Sequence, residues 1–345
     1  MHAPSQWLAA SATALTWAFV ATATVAAAAA EGPPGPNDYR HQLARALQHS
    51  QTPRDWALGA QLLETHPATG ANLRERLAIL RRAASAAPAD RLVQALWADT
   101  SVDAPCRRHG PCGDRQALAR LDPGNGVSWL PVIAGDWKAG GGRGVDAGLA
   151  RLAASGRYNE HLGEAIGAWR DLFARHRPSG APQDPDAATL YTLNLALDEA
   201  RTSAIPDTTA LVAACSKSAH PKAGTHRFAD CGRVGRLLMD RAQTLPGRLA
   251  GVAVLRASRE GTKADIPRIR TVTWQAEQMQ QIETKLGDDA VGLQNYLNLI
   301  QANDSQTAAI LYEMTLFGIA QTPPDDWQQT VDGHPVEPLD DSTAK

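Results

Sequence analysis

Lysine is scarce in this chain: six of its 34 basic residues are Lys and the rest are Arg, scattered along helical faces. Basic and acidic residues nearly cancel, giving a net charge of -2, so nothing biases the protein toward nucleic acid or acidic lipid. Apolar residues in strand-like alternation are almost absent, which excludes a sheet-rich fold. Catalytic signatures are missing as well. There is no nucleophile elbow and no paired-histidine zinc helix, and the Ser-x-x-Lys from Ser342 to Lys345 falls in the final residues.

Charge is lacking altogether at the amino terminus. The first thirty residues, MHAPSQWLAASATALTWAFVATATVAAAAA, contain no Asp, Glu, Lys or Arg and run through an apolar centre, Trp7 to Val25, into alanines. That is the outline of a secretory signal, with cleavage expected after Ala30, where Ala28 and Ala30 supply small side chains. The region before Trp7 lacks the usual Lys or Arg, so an upstream start or a retained anchor remains open. No cysteine lies near the cleavage point, which argues against a lipid-modified terminus. The expected location is periplasmic or secreted.

What is present is helical periodicity. In HLGEAIGAWRDLFARH, Leu162, Ile166, Trp169 and Phe173 recur at four, three and four residues, so one face is buried. In DPDAATLYTLNLALDEA, Asp184 is a cap, Pro185 takes the first helical position, and Leu190, Leu193, Leu197 and Ala200 form one stripe. Thr52-Pro53, Asp122-Pro123, Pro206-Asp207 and Asp304-Ser305 each read as a stop followed by a fresh start. The fold class is all-α.

Pro53, Pro88 and Pro123 stand thirty-five residues apart, each followed by a helical stretch carrying a tryptophan: Trp56, Trp97 and Trp129. With the LDPGN turn before Trp129 and the AASAAP ending before Pro88, the chain resembles the tetratricopeptide-repeat family over about residues 40 to 177. The resemblance implies helix pairs stacked as a right-handed superhelix and a role in binding proteins or peptides. This chain departs from the family pattern at Ile133, Asp136 and Leu152, and its middle unit is interrupted by a cysteine segment, so the repeat is degenerate. The organisation expected is a signal (1–30), a Pro-rich linker (31–38), helical repeats (39–177), a helical C-terminal region (184–320) that continues the stack or forms a separate bundle, and a loose tail (322–345). The tail has too little apolar surface to offset ordering. Trp327 stands out there, as an anchor back onto a groove or a handle for a partner.

Four cysteines are present. Cys106, His109 and Cys112, and likewise Cys215, His220, His226 and Cys231, are metal-ligand types at close spacing. In an exported chain, an even cysteine count reads first as disulfides. Local pairing, Cys106 with Cys112 and Cys215 with Cys231, requires the least rearrangement and contributes about 2 to 3 kcal/mol each on the chain-entropy argument; crossed pairing and metal binding are the alternatives. Gly142, Gly144 and Ala147 follow the order of a dinucleotide fingerprint, but no strand leads into them, so the segment reads as a turn between paired helices and no cofactor is expected. His161 and Glu164 share a helix face, which ordinarily marks a solvated helix opening.

The leading expectation is therefore a non-catalytic interaction or assembly module that grips a protein or peptide partner. The alternative is a periplasmic enzyme acting on cell-wall material through a carboxylate pair. A groove lined by Asn, Arg and aromatics favours the binder; a cleft with two facing carboxylates of raised pKa favours the enzyme.

Overall fold

The computed structural model describes residues 36–63, 72–102, 114–178, 181–219, 225–331 and 334–335. Within them the chain is all-helical apart from a two-residue antiparallel pairing of Thr330–Val331 with His334–Pro335. The helices are α1 (Pro36–Gln48), α2 (Pro53–Leu62), α3 (Leu73–Ala86), α4 (Arg91–Thr100), α5 (Ala117–Leu121), α6 (Leu130–Lys138), α7 (Gly142–Ala153), α8 (Leu162–Arg175), α9 (Pro185–Ala204), α10 (Thr209–Ala214), α11 (Thr225–Arg241), α12 (Leu245–Ser258), α13 (Ile266–Leu286), α14 (Ala290–Asn303) and α15 (Gln306–Leu316).

Their starts follow from side-chain capping of otherwise unpaired backbone N–H groups. Asp184 accepts from the Ala187 N–H at 2.9 Å to open α9, Asp90 from Val93 at 3.1 Å to open α4, and Ser305 from Ala308 at 3.1 Å to open α15. Pro53 and Pro185 occupy the first turns of α2 and α9, where a missing N–H costs nothing. Ala139 to Gly141 form the turn between α6 and α7, with Gly140 at φ +70, a value that favours glycine, whereas Gly142, Gly144 and Ala147, read as part of the turn, lie within α7 because nothing in their backbone prevents the helix from starting there.

Neighbouring helices pack in sequence, α1 on α2, α2 on α3, α6 on α7, α8 on α9, α11 on α12 and α14 on α15. Two apolar cores result. The first is filled by Leu47, Leu58, Leu80, Trp169, Leu197 and Tyr296, so α1 to α4 share it with α8, α9, α14 and α15. The second holds Ile133, Leu149, Leu152, Cys215, Cys231 and Leu238, from α6, α7, α10 and α11. On α8, Leu162, Ile166, Trp169 and Phe173 are all buried as their spacing predicts, with Trp169 stacked on Phe173 at 5.5 Å and its indole N–H on Ser203 Oγ at 2.9 Å.

Cys215, at the C-terminus of α10, and Cys231, within α11, form a disulfide with Cα atoms 5.7 Å apart. The bridge thus ties a helix end to a helix interior inside the second core, across the segment that joins α10 to α11. Cys106 and Cys112 lie outside the described residues, as do the signal segment and its cleavage point. No helix among the described residues is long and apolar enough to cross a membrane.

From Ala320 to Gln329 the chain lies along α13 as a strap. Trp274 and Gln275 donate to the carbonyls of Ala320 (2.8 Å) and Gln321 (3.1 Å), and Arg270 donates to that of Pro324 at 3.1 Å. Trp327 packs edge-on against Trp274 at 5.8 Å and donates to Glu277 Oε2 at 3.1 Å, while Arg256 reaches Gln329 Oε1 at 3.1 Å. Side chains of α13 thus bond four carbonyls between Ala320 and Asp325 and hold the Trp327 indole, and these contacts lay the strap on the helix without a core of its own.

Candidate functional site

The carboxy-terminal half of α8 carries Arg170, Phe173 and Ala174, at positions i, i+3 and i+4 on one face, and Arg177 follows past the helix end, where His176 has left the helical conformation. Opposite, Pro185, Ala188, Thr189 and Thr192 repeat that spacing on the first half of α9. Between the stripes runs a groove of about 690 Å³, its wall completed by Asn298 and Gln301 of α14. The volume lies in the range of ligand clefts. Phe173 and Leu193 lie beneath it, both nearly inaccessible.

The charges in the groove are held unusually. Arg170, half-buried, donates from Nη1 to the amide oxygens of Asn298, at 2.9 Å, and Gln301. Both acceptors are neutral. Its Nε and Nη2 edge has no partner among the described residues, and burial lowers its pKa from the ordinary guanidinium value. Arg177, past the end of α8, donates to the Pro182 carbonyl at 3.3 Å. Neither makes an ion pair with a carboxylate among the described residues. By contrast, Arg175 grips both oxygens of Asp55 at 2.8 and 2.9 Å, and Arg54 bridges Asp90 and Glu164 at 2.8 and 2.7 Å. The groove's own carboxylate, Asp171, is exposed.

A second depression, of about 560 Å³, lies between α3, α4 and α5 beside Trp97. Arg120 there pairs with Asp114, and Gln94 donates to the Ala84 and Ala87 carbonyls, while Arg81 stands exposed at its rim.

Four chain corners converge in a buried polar junction. Asn125, fully buried, accepts from the Asn159 N–H at 2.9 Å and donates to the Asn159 carbonyl at 2.9 Å. His161, with φ +59, lies between Asp122 and Asp304, its ring nitrogens 3.7 and 3.6 Å from their oxygens. Glu160 accepts from Thr244 Oγ1 at 2.7 Å and from the Gln243 N–H at 3.0 Å. Gly247 makes room for it, since a Cβ there would collide with Glu160 Oε1. Burial pushes the Glu160 carboxyl up to about 7, against the lowering effect of those hydrogen bonds.

His161 and Glu164, neighbours in sequence, are not brought together. Glu164 is engaged by Arg54, whereas His161 faces the Asp122 and Asp304 corners. Spacing alone missed Glu160, Asn125 and Asp304; the one hint was Asn125 in the LDPGN turn. The cavity beside Glu160 and His161, also lined by Asp99, measures only about 40 Å³. That is room for about three water molecules and not for a sugar ring. The junction has the chemistry of a clasp between corners.

Of the expected ligand set at the second cysteine pair, Cys215 and Cys231 are committed to the disulfide. His220 lies outside the described residues.

Compared with family models, with curated proteins and with solved structures, the chain matches none of them.

Proposed function

We propose that this protein is an exported, non-catalytic interaction module that holds a protein or peptide partner in the groove between α8, α9 and α14. One observation carries the reading: a groove of ligand size is lined by two arginines that have no carboxylate partner among the described residues, and it is flanked by amides. Such a surface recognises and does not transform. The tetratricopeptide-like stack belongs to this proposal for residues 39–177, where α2 packs on α3 and α6 on α7. The groove then sits where that region meets the C-terminal helices. Export is supported by the charge-free opening and by the buried Cys215–Cys231 bridge, which suits an oxidising compartment.

The enzyme reading has Glu160 in its favour, a carboxyl of raised pKa near Asp99. It is the weaker one, because Glu160 is tied to Thr244 and Gln243 and its cavity admits no polymer substrate.

The test is affinity capture from a periplasmic extract with the wild-type chain and with Thr192→Trp, which fills the groove from α9. A partner retained by the wild type and lost by the variant is the expected result. Equal capture by both would remove the groove from the account.

A further inference from the structure

The groove's chemistry narrows what it takes. We propose that it binds a short extended peptide segment carrying a carboxylate, which the free edge of Arg170 and the guanidinium of Arg177 hold. This rests on the groove being a binding site, and goes further by naming the ligand group and the residues that read it.

Arg170 is positioned as a fork. Its Nη1 is fixed by Asn298 and Gln301, so the guanidinium is oriented before any ligand arrives, and the Nε–Nη2 edge, the edge that grips a carboxylate through two parallel hydrogen bonds, has no partner among the described residues. A half-buried cation with only neutral partners gains more from an arriving anion than one already paired. The contrast with Arg175, satisfied by Asp55, lies on the same helix.

The charge sum selects the anion. Arg170 and Arg177 contribute two positive charges and the exposed Asp171 removes one, so the groove complements a single negative charge better than a phosphate dianion. Length selects the ligand's form. From Arg170 to the end of α8 at Arg175 is about 8 Å of helix axis, with Arg177 beyond it, so the groove accommodates a short extended segment of about three residues. Over that length the groove offers a peptide what its backbone needs. Asn298 Nδ2 has no partner among the described residues and can donate to a carbonyl. The hydroxyls of Thr189 and Thr192 give their protons to Pro185 O and Ala188 O at 2.8 Å each, leaving lone pairs for a ligand N–H. The exposed methyl group of Ala174 gives an apolar side chain a small surface to cover.

The carboxylate has two sources, a chain terminus or an Asp or Glu side chain. The probes are randomised tetrapeptide pools without lysine or arginine, in four forms: free acid without Asp or Glu, amidated with one Glu, amidated without Asp or Glu, and amidated with one phosphoserine. They are measured by fluorescence polarisation against the full chain. Retention of the first form alone assigns a chain terminus, of the second alone a side chain, and of both a general carboxylate reader. In each case Arg170→Gln and Arg177→Gln should weaken binding at least tenfold, with Arg170→Lys intermediate because charge remains while the fork is lost. Arg177 lies outside α8, so its variant tests the idea should Arg170→Gln disturb packing.

Binding of the acid-free amidated pool as tightly as the others, unchanged by either Arg→Gln variant but abolished by Thr192→Trp, overturns the carboxylate and leaves the groove as a binding site. Preference for the phosphoserine pool overturns it in favour of a dianion. Retention of no pool by wild type, together with capture of the same partners by wild type and Thr192→Trp, overturns this inference and the underlying reading together.

Discussion

Glu160 shows how a single buried side chain can make stability depend on pH. It lies where the 157–161 segment meets the 241–245 corner, with two hydrogen bonds donated to it and almost no access to water. Its carboxyl is raised from 4.5 to about 7, so the folded state binds a proton that the unfolded chain has released over that interval. Stability is therefore unaffected by this group below about pH 4.5, falls as pH rises toward 7, and above 7 carries a penalty of about 3 kcal/mol. Glu160→Gln removes the titration and keeps one acceptor oxygen, so Thr244 stays paired while the Gln243 N–H meets an amide NH2 in place of an acceptor oxygen. The variant should be less stable than wild type at pH 5 and should lose less stability on going from pH 5 to 8. Urea melts across that range check this; parallel curves for the two proteins would show that Glu160 does not titrate there. Asp198, Glu199 and Glu313 are also raised by burial, but they are common to both proteins and cancel in the comparison.

At the scale of elements, the strap along α13 tests how far local anchoring orders a segment with no core of its own. Trp327 is held by Trp274, by Glu277 and by the Arg270 guanidinium 5.5 Å above its ring. Trp327→Ala should therefore free residues 324–329 and leave 319–321 attached through Trp274 and Gln275. Amide exchange in the released part should rise about tenfold or more, because local opening there needs no global unfolding. Hydrogen-exchange mass spectrometry reads this, and unchanged protection of 324–329 would assign their order to other contacts. The strap also marks the limit of sequence reasoning. The α8 face, the Asp184 cap, the Asp304-Ser305 break and the Cys215–Cys231 pair were legible because each depends on residues close in the chain. The strap was not, since its order comes from side chains some fifty residues away, and composition registers only its own apolar content. The groove was half legible: Arg170 and Phe173 stand on a readable helix, but Asn298 and Gln301 reach Arg170 across more than 120 residues. The junction around Glu160 and His161 brings four corners together and left almost no mark on local spacing.

For the molecule as a whole, the arrangement of two cores bears on what the disulfide can influence. Cys215 and Cys231 are buried in the second core with Ile133, Leu149 and Leu238, whereas the groove is built on α8, α9 and α14, which belong to the first. Closing a loop across 16 positions lowers the entropy of the unfolded chain by an amount worth about 3 kcal/mol. Replacing both cysteines, Cys215→Ala with Cys231→Ala, should therefore lower the calorimetric Tm by several degrees, about 2 to 4 °C for each kcal/mol in a chain of this size or somewhat smaller. Reductant added to the folded wild type should act slowly, since both sulfurs are shielded from solvent. The same double variant should keep tetrapeptide affinity within about twofold at 25 °C, because the groove helices pack against Leu80, Leu197 and Tyr296 rather than against the bridge. A double variant that melts lower yet binds normally would separate the element that secures the fold from the one that meets a partner. Loss of binding in a chain that is still folded by circular dichroism would instead show that the polar junction around His161 transmits strain from one core to the other, and its Asp304 contact would then be the place to look for coupling.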